Sequence, residues 1–400
     1  MAYLITHEIG SLAKPEWRVK VGRGIPFTSK DVEDAVMWGK RLELYHDPLL
    51  ALLKKKTLTP AEKKEVIQWS SRYGLRLIEH AGVDVVYDGE QQRSEMYQHA
   101  VNLSEGFVFR GLTRSFDNKY YQKAACVSKP KVKKPWHEDE FTLLKKLTNK
   151  KIKIPITGAY TIAAWSFDEY YARQVSELGS AKALVSREKA RRQFILDVAK
   201  YLLRPNIKQL LDQGAQWIQI DEPAATTIPS EVPLFVESFN ESVRGLKGEF
   251  SVHICYSNYN LLFPHIQKIE QCSQFDLELS NRDSKVLGLR DGDRPGYEIL
   301  KQFKKYRIPS RIGLGVTDIH SDFIESPELI RDRILYAIKV LGDPGLVNPS
   351  PDCGLRTRTW EVAYQKLVNQ TAGTRLAEKI LDATSDRGYE VSNKIYTHRK

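Results

Sequence analysis

Two segments in the second half of the sequence combine residue types that bind transition metals. His253 and Cys255 are separated by one residue, and Glu278 and Cys353 follow in later predicted strands or at their ends. Residues i and i+2 of a strand point to the same side, so His253 and Cys255 can reach one ion together. Thiolates with an imidazole favour zinc over magnesium or calcium. A single His-x-Cys motif is short, however, and a buried cysteine beside a hydrogen-bonded core histidine also explains it.

Polar residues end most of the other predicted strands as well. The segments are Glu8-Ile9-Gly10-Ser11, Asp88-Gly89-Glu90, Asp221-Glu222-Pro223, Asp318-Ile319-His320-Ser321 and Pro351-Asp352-Cys353-Gly354. In a barrel of parallel strands, the carboxyl ends of the strands meet at one mouth, where active sites are built. Residues from both ends of the chain therefore become neighbours. The segment that begins at Asp221 is also typical of a helix cap after a strand.

Eight short segments rich in β-branched residues position these groups, and helical stretches such as Ala61–His80 and Pro327–Leu341 separate them. The predicted strands are Tyr3–Glu8, Val83–Tyr87, Lys153–Thr157, Gln216–Ile220, Phe250–Cys255, Phe275–Leu279, Arg311–Val316 and Gly345–Asn348. Strands that alternate with helices in this way predict an α/β fold, a closed (β/α)₈ TIM barrel.

Three additions interrupt the alternation. Phe107–Val127 is predicted to be an inserted hairpin, Asp283–Tyr306 an elaborated loop, and Pro15–Pro60 a partly helical extension that packs over one end. These additions account for the length beyond the roughly 250 residues typical of the fold. Residues 1–400 are therefore predicted to form a single catalytic barrel.

Composition narrows the class of protein. The chain has 400 residues, 42% of them hydrophobic, and a formal net charge of +11. We see no signal peptide and no apolar run of the length that a membrane span needs, so a cytoplasmic protein is expected. Part of the positive charge lies in Lys129–Lys153, without a nucleic-acid-binding signature. A solvated lysine-rich face is the simpler interpretation, and attraction of an anionic substrate is the alternative.

In chain order, these segments resemble the zinc-binding C-terminal catalytic barrel of cobalamin-independent methionine synthases, in the short single-barrel form of the archaeal members. The resemblance rests on Ile9-Gly10-Ser11, Asp88-Gly89-Glu90, Trp165-Ser166-Phe167, Ile220-Asp221-Glu222-Pro223-Ala224, His253-Ile254-Cys255-Tyr256, Leu277-Glu278-Leu279-Ser280, Asp318-Ile319-His320-Ser321 and the run Asn348 to Thr357. Each match is weak alone, but their order at the ends of the strands is specific, and they span most of the chain.

The resemblance implies a methyltransferase that transfers a methyl group to the thiol of L-homocysteine and forms L-methionine. One zinc ion per chain would be held by His253, Cys255, Glu278 and Cys353. Homocysteine would bind near Glu90 and Asp221 through its amino group and near Ile9, Gly10 and Ser11 through its carboxylate. His320 would donate a proton to the leaving group, and Trp165 and Cys126 would contact the donor.

The sequence departs from the family pattern at positions expected to contact the methyl donor. Ala125 and Thr227 stand where the folate-dependent family members have Arg and Glu, and the N-terminal barrel of the long form has no counterpart in this sequence. We therefore expect methylcobalamin, free or protein-bound, to exceed methyltetrahydrofolate as donor, unless a separate partner chain supplies the missing contacts. Two other functions remain open, a zinc barrel that methylates another small thiol and a non-catalytic zinc-stabilised binding protein.

Overall fold

The main sheet of the protein consists of parallel strands that follow one another in chain order. The computed structural model describes residues 4–114, 120–175 and 180–397, and only the backbone of 174, 180–184 and 384–397. Within this part, the strands are β1 Val85–Val86, β2 Ser104–Arg114, β3 Tyr120–Val132, β4 Lys151–Thr157, β5 Phe167–Asp168, β6 Trp217–Asp221, β7 Glu249–Ile254, β8 Cys272–Leu277, β9 Arg311–Thr317 and β10 Val347–Pro351. Seven of them form the parallel sheet, in the order β1-β4-β6-β7-β8-β9-β10. With its surrounding helices this sheet is a TIM-barrel-like α/β fold, as predicted.

Helices cover the outside of the sheet. Those described are α1 Glu16–Arg23, α2 Ser29–Arg41, α3 Asp47–Leu53, α4 Pro60–His80, α5 Met96–Asn102, α6 Glu138–Leu147, α7 Ala159–Trp165, α8 Ser180–Val198, α9 Arg204–Asp212, α10 Val232–Val243, α11 Leu300–Lys305, α12 Pro327–Leu341 and α13 Trp360–Thr397. Proline occupies the first turn of α4 and of α12, where its missing N–H costs nothing. Among the described residues, no helix combines the length and apolarity that a membrane crossing requires.

The segment around His7 lies between the first and last strands of the sheet. His7 bridges Val85 in parallel, and its N–H donates to Pro349 O at 3.1 Å. The prediction of a full strand over Tyr3–Glu8 was wrong within the described residues, and Tyr3 lies outside them. The reason is that side chains replace part of the ladder: Asn348 Oδ1 accepts from Ile5 N, and Asp84 Oδ2 accepts from Thr6 N.

The C-terminal helix α13 also binds the segment around His7, which lies between the first and last strands of the sheet. Gln370 Nε2 donates to His7 O at 2.9 Å and to Pro349 O at 3.2 Å. Glu378 Oε1 accepts from Leu4 N at 3.1 Å. Both chain ends therefore take part in holding the first and last strands together.

The predicted insertion is an antiparallel hairpin formed by β2 and β3, and it is longer than expected. The two strands pair from Ser104 with Val132 to Arg114 with Tyr120, and β5 joins β3 in parallel. Residues 115–119 of the predicted hairpin lie outside the described part. The predicted loop Asp283–Tyr306 contains short 3₁₀ turns and α11, and the N-terminal extension contains α1 to α3.

Two glycines on β9 make room for acidic side chains inside the barrel. A Cβ atom on Gly313 would lie 1.8 Å from Asp276 Oδ1, and one on Gly315 would lie 2.2 Å from Asp352 Oδ1. Both aspartates are fully buried. Because Gly313 and Gly315 have no side chain, the carboxylates of Asp276 and Asp352 can occupy that space inside the barrel.

We expect Gly313→Ala to lower the free energy of unfolding by about 1–3 kcal/mol, because the added methyl group would overlap the Asp276 carboxylate. Gly292→Ala is the matched control, since its Cβ would meet nothing within 4 Å. Denaturant unfolding of both variants would test this expectation, and an equal stability of the two would contradict it.

Candidate active site

Three of the four predicted metal ligands come together at the carboxyl ends of the strands. The ligand atoms of His253, Cys255 and Cys353 all lie within 4.8 Å of one another, and His253 Nε2 is 3.3 Å from Cys353 Sγ. Bond lengths of about 2.0–2.3 Å in a tetrahedral site place ligand atoms about 3.5–3.8 Å apart, so this set fits zinc. His253 Nδ1 is 3.2 Å from Asp276 O, which orients the ring with Nε2 toward the sulfur atoms.

The two thiols and the imidazole affect one another strongly in this group. The hydrogen bond from the Cys255 thiol and the nearby His253 ring lower the pKa of Cys353 below its usual range, against the effect of burial. Thiolate is the form that binds a metal. The group is therefore chemically suited to a soft cation as well as geometrically suited.

The fourth predicted ligand, Glu278, is turned away from this group. Its Oε2 accepts from Tyr256 N at 2.6 Å, and its Oε1 accepts from Asn281 Nδ2 at 2.9 Å and contacts His320 Nε2. Glu278 is fully buried, and its hydrogen bonds to these three groups account for its orientation. Of the four predicted metal ligands, three therefore form a group in this structure, and Glu278 lies next to that group.

Asp352 fixes the backbone that carries Glu278. Its Oδ1 accepts from Leu279 N at 2.9 Å and Ser280 N at 2.8 Å, and its Oδ2 accepts from Asn281 N at 2.7 Å. Burial raises the pKa of Asp352 to about 7. Because Asp352 directly precedes Cys353, one residue couples the position of the turn after β8 to that of the Cys353 thiol.

A pocket opens beside the metal-binding group. It is lined by Ile9, Gly10, Ser11, Glu90, Glu95, Met96, Trp165, Asp221, Pro223, His253, Cys255, Tyr256, Ile319, Cys353, Gly354, Arg356 and Thr357. All five predicted homocysteine-binding residues are among them. The sequence placed these five residues together at the mouth, and it assigned no role to Glu95, Met96, Tyr256 or Arg356.

The two predicted ammonium-binding carboxylates are both buried at this pocket. Glu90 has a φ of 58°, a conformation that non-glycine residues rarely adopt, and Asp88 Oδ1 accepts from its N–H at 2.8 Å. Burial raises the pKa of Asp221 to about 7. Strained backbone at a pocket residue is a feature of functional sites, since the surrounding structure must hold it in place.

The segment Asp221-Glu222-Pro223 contributes one side chain to the pocket and one to a helix cap, although the capped helix is α7 and not the helix that follows β6. Asp221 lines the pocket, whereas Glu222 caps the start of α7: its Oε1 accepts from Tyr160 N at 3.0 Å, and its Oε2 accepts from Thr161 N at 2.7 Å. Since α7 ends at Trp165, the cap at Glu222 orients the helix that brings Trp165 to the pocket.

Of the predicted donor contacts, the structure brings one to the pocket. Trp165 lines it and packs with Tyr97 and Tyr121, with ring centroids 6.0 and 5.2 Å away. Cys126 does not line it. The Cys126 thiol is buried in the hairpin, where it donates to Ser128 O at 3.2 Å.

The residues that suggested a neutral donor site also lie outside the pocket lining. Ala125 is buried in β3, opposite Val108, and Thr227 Oγ1 donates to Ala224 O at 2.8 Å. Their neutrality therefore carries no information about the charge of this pocket. Lys153, which the sequence assigned to the basic surface, is likewise fully buried inside the barrel.

Sequence reasoning missed Arg93, a fully buried residue behind Glu90. Its guanidinium makes bonds of 3.0–3.1 Å to Glu140 and lies 3.5 Å from Glu90 Oε1. It also contacts the hydroxyl of Tyr87 at 2.6 Å. No strand-end pattern marks Arg93, and a buried arginine is recognisable only from the fold.

This fold and this mouth define an α/β-barrel enzyme with a thiolate-containing metal-binding group beside its pocket. Residues 47–375 match the family model described as the catalytic domain of cobalamin-independent synthases. The chain therefore belongs to the cobalamin-independent methionine synthase family, as its sequence motifs indicated.

Individual relatives agree with this assignment. The chain is 38% identical over 375 residues to the methionine synthase of Thermoplasma acidophilum, with 92% of this chain and 96% of the relative covered. It is 39% identical over 320 residues to that of Pyrococcus furiosus, with 80% and 85% covered. A B12-independent methionine synthase from Shewanella sp. W3-18-1, solved with selenomethionine, has the same fold, with a TM-score of 0.72 at 24% identity and 95% and 99% of the chains covered.

The comparisons do not support two of the expectations about partners. A family described as cobalamin-independent gives no support to methylcobalamin as the donor. The matched relatives likewise give none to a separate partner chain, since the alignment spans almost their whole length. Ala125 and Thr227, on which the first expectation rested, are not among the residues that line this pocket.

Proposed function

We propose that the protein transfers a methyl group to the thiol of L-homocysteine, with zinc held at the mouth of a single catalytic barrel. The observation that carries the proposal is the position of the His253, Cys255 and Cys353 group in the wall of the pocket that Glu90 and Asp221 line. A thiol bound next to the cysteines would have two carboxylates within the same pocket for its amino group. This arrangement suits an amino-acid thiol better than a simple aliphatic one.

His253, Cys255 and Cys353 would hold the zinc ion, with Glu278 as the fourth ligand. Support for Glu278 comes from its burial and from its hydrogen bond to Tyr256 N, the residue next to Cys255. When bound, zinc lowers the pKa of a coordinated thiol and keeps the sulfur deprotonated and nucleophilic. A carboxylate is the hardest member of this set, so Glu278 is the ligand we expect to yield to the substrate.

The pocket residues would orient homocysteine by its charged groups. Glu90 and Asp221 would accept hydrogen bonds from the ammonium, and the turn Ile9-Gly10-Ser11 would offer backbone N–H groups to the carboxylate. The turn packs closely against Gly354, since a Cβ on Gly354 would lie 2.4 Å from Ser11 Oγ. Any larger residue there would displace the turn.

His320 would supply a proton to the leaving group of the donor. Its side chain is one-third exposed, and its ring packs against Tyr256, a pocket residue, with a centroid distance of 5.2 Å. A histidine at the rim can hold a proton near neutral pH and exchange it with solvent. For the donor we propose methyltetrahydrofolate, whose flat pterin ring could stack on Trp165.

Methionine formation by the purified, zinc-loaded protein tests the proposal. We expect L-homocysteine to be methylated with methyltetrahydrofolate, and 2-mercaptoethanol to be methylated at least about 100-fold less efficiently, because it offers no ammonium for the carboxylates. Mass spectrometry of the products gives both rates. Equal rates for the two thiols would contradict the amino-acid assignment, and faster transfer from methylcobalamin would contradict the donor.

A further inference from the structure

Two buried glutamines inside the barrel share one sequence pattern. In Gln219-Ile220-Asp221 on β6 and Gln274-Phe275-Asp276 on β8, a glutamine precedes an aspartate by two residues on the same face of a strand. Each glutamine donates from Nε2 to Oδ1 of its aspartate, at 2.7 Å for Gln219 and 2.6 Å for Gln274. All four side chains are buried. Such polar groups inside a parallel sheet require a reason beyond packing.

The two pairs differ in what their aspartates face. Asp221 lines the pocket, whereas Asp276 does not and lies 3.7 Å from His7 Nε2 and 4.0 Å from Lys153 Nζ. The pairs are therefore chemically alike, but only the first one reaches the proposed ammonium site.

The orientation of the Gln219 amide is fixed by its neighbours. Lys153 Nζ has only hydrogens to offer, and it donates to Gln219 Oε1. The Nε2 group must then face the other way, where it donates to Asp221 Oδ1 and, at 2.6 Å, to Ile9 O. The amide of Gln219 thus links the carboxylate of Asp221 to the turn that begins at Ile9.

We infer that Gln219, oriented by Lys153, is a positioning residue that makes the pocket select thiols that carry an α-ammonium group. It holds Asp221 Oδ1 and the Ile9 carbonyl, so that the remaining oxygen of Asp221 receives the substrate ammonium beside the Ile9-Gly10-Ser11 turn. This inference rests on the proposed function, in which Asp221 binds the amino group of homocysteine.

The test compares Gln219→Glu with the matched variant Gln274→Glu. Each change keeps the shape of the side chain and replaces its donor with a second carboxylate beside an aspartate. Calorimetry with the zinc-loaded proteins would measure Kd for L-homocysteine and for 4-mercaptobutanoate, which has the thiol and the carboxylate but no amino group. We expect Gln219→Glu to raise the homocysteine Kd roughly 10- to 100-fold and to change the analogue Kd by less than about twofold.

The ratio of the two dissociation constants separates positioning from general damage. Gln274→Glu is expected to leave this ratio unchanged, whatever it does to stability. A Gln219→Glu variant that weakens both ligands equally, or neither, would overturn the inference. If this variant does not accumulate as folded protein, Gln219→Met removes the same two hydrogen bonds at similar volume and is judged by the same ratio.

Asp221→Asn distinguishes failure of this inference from failure of the proposed function. If Asp221→Asn selectively weakens the binding of homocysteine and Gln219→Glu does not, the assignment of Asp221 to the ammonium site is supported and the positioning role of Gln219 is contradicted. If Asp221→Asn has no selective effect, the ammonium site itself is wrong, and the role of Gln219 falls with it.

Discussion

Replacing Cys353 by serine is expected to leave the purified protein nearly free of zinc and without measurable methyl transfer. The Cys353 sulfur lies 3.3 Å from His253 Nε2, and its loss leaves two residues of a group of three. A hydroxyl is a much poorer ligand for zinc than a thiolate. Loss of a residue that only supports a ligand costs about 10- to 100-fold in metal affinity, and loss of the ligand itself is expected to cost more.

Cys272→Ser is the matched control for that experiment. Cys272 begins β8, and its thiol donates to Gln274 O at 3.3 Å, away from the strand ends that form the mouth. Elemental analysis of both variants should give close to one zinc per chain for Cys272→Ser only. A full zinc content in Cys353→Ser would remove Cys353 from the ligand set.

Replacing Glu90 by glutamine is expected to weaken homocysteine binding about 10- to 150-fold, because a charge-assisted hydrogen bond contributes about 1.5–3 kcal/mol. Glutamine has nearly the same size as glutamate. The contact that would be changed, between Arg93 and Glu90 Oε1, is already weak at 3.5 Å. Zinc content should not change, since Glu90 is not part of the metal-binding group.

The exposed residue Glu328 at the start of α12 provides the control for this variant. Glu328→Gln makes the same chemical change at a site remote from the pocket, and it should bind homocysteine like the parent protein. Calorimetric titration of both zinc-loaded variants gives the comparison. Normal binding by Glu90→Gln would show that Asp221 alone receives the ammonium, or that the substrate binds elsewhere.

The grouping of residues at the candidate site follows from the sequence because parallel pairing brings strand ends together without further information. His253 lies opposite Asp221 on one side and Asp276 on the other, as the barrel topology requires. Residues at strand ends therefore converge once the order of the strands is known. The positions of His253, Cys255 and Cys353, and those of the five predicted homocysteine-binding residues, follow from this rule.

The sequence does not indicate the orientation of side chains that depends on tertiary contacts. Lys153 belongs to a lysine-rich run, and counting charges placed it on the surface, although its position on a strand directs it into the barrel. Glu278 turns toward Tyr256 and His320 because those groups offer hydrogen bonds. The repeated Gln-x-Asp pattern at Gln219 and Gln274 was a usable signal, since polar residues are unusual in buried strands.

Closure of the barrel by both ends of the chain has a consequence for its synthesis. Leu4 and His7 are synthesised 374 and 363 residues before their respective partners Glu378 and Gln370 in α13. Contacts between residues so far apart in sequence form late and slowly. Until then the edges of β1 and β10 remain open to pairing with other chains, which is an aggregation hazard. The segment that leads into the pocket residues Ile9-Gly10-Ser11 therefore gains its contact with α13 only after that helix has been synthesised.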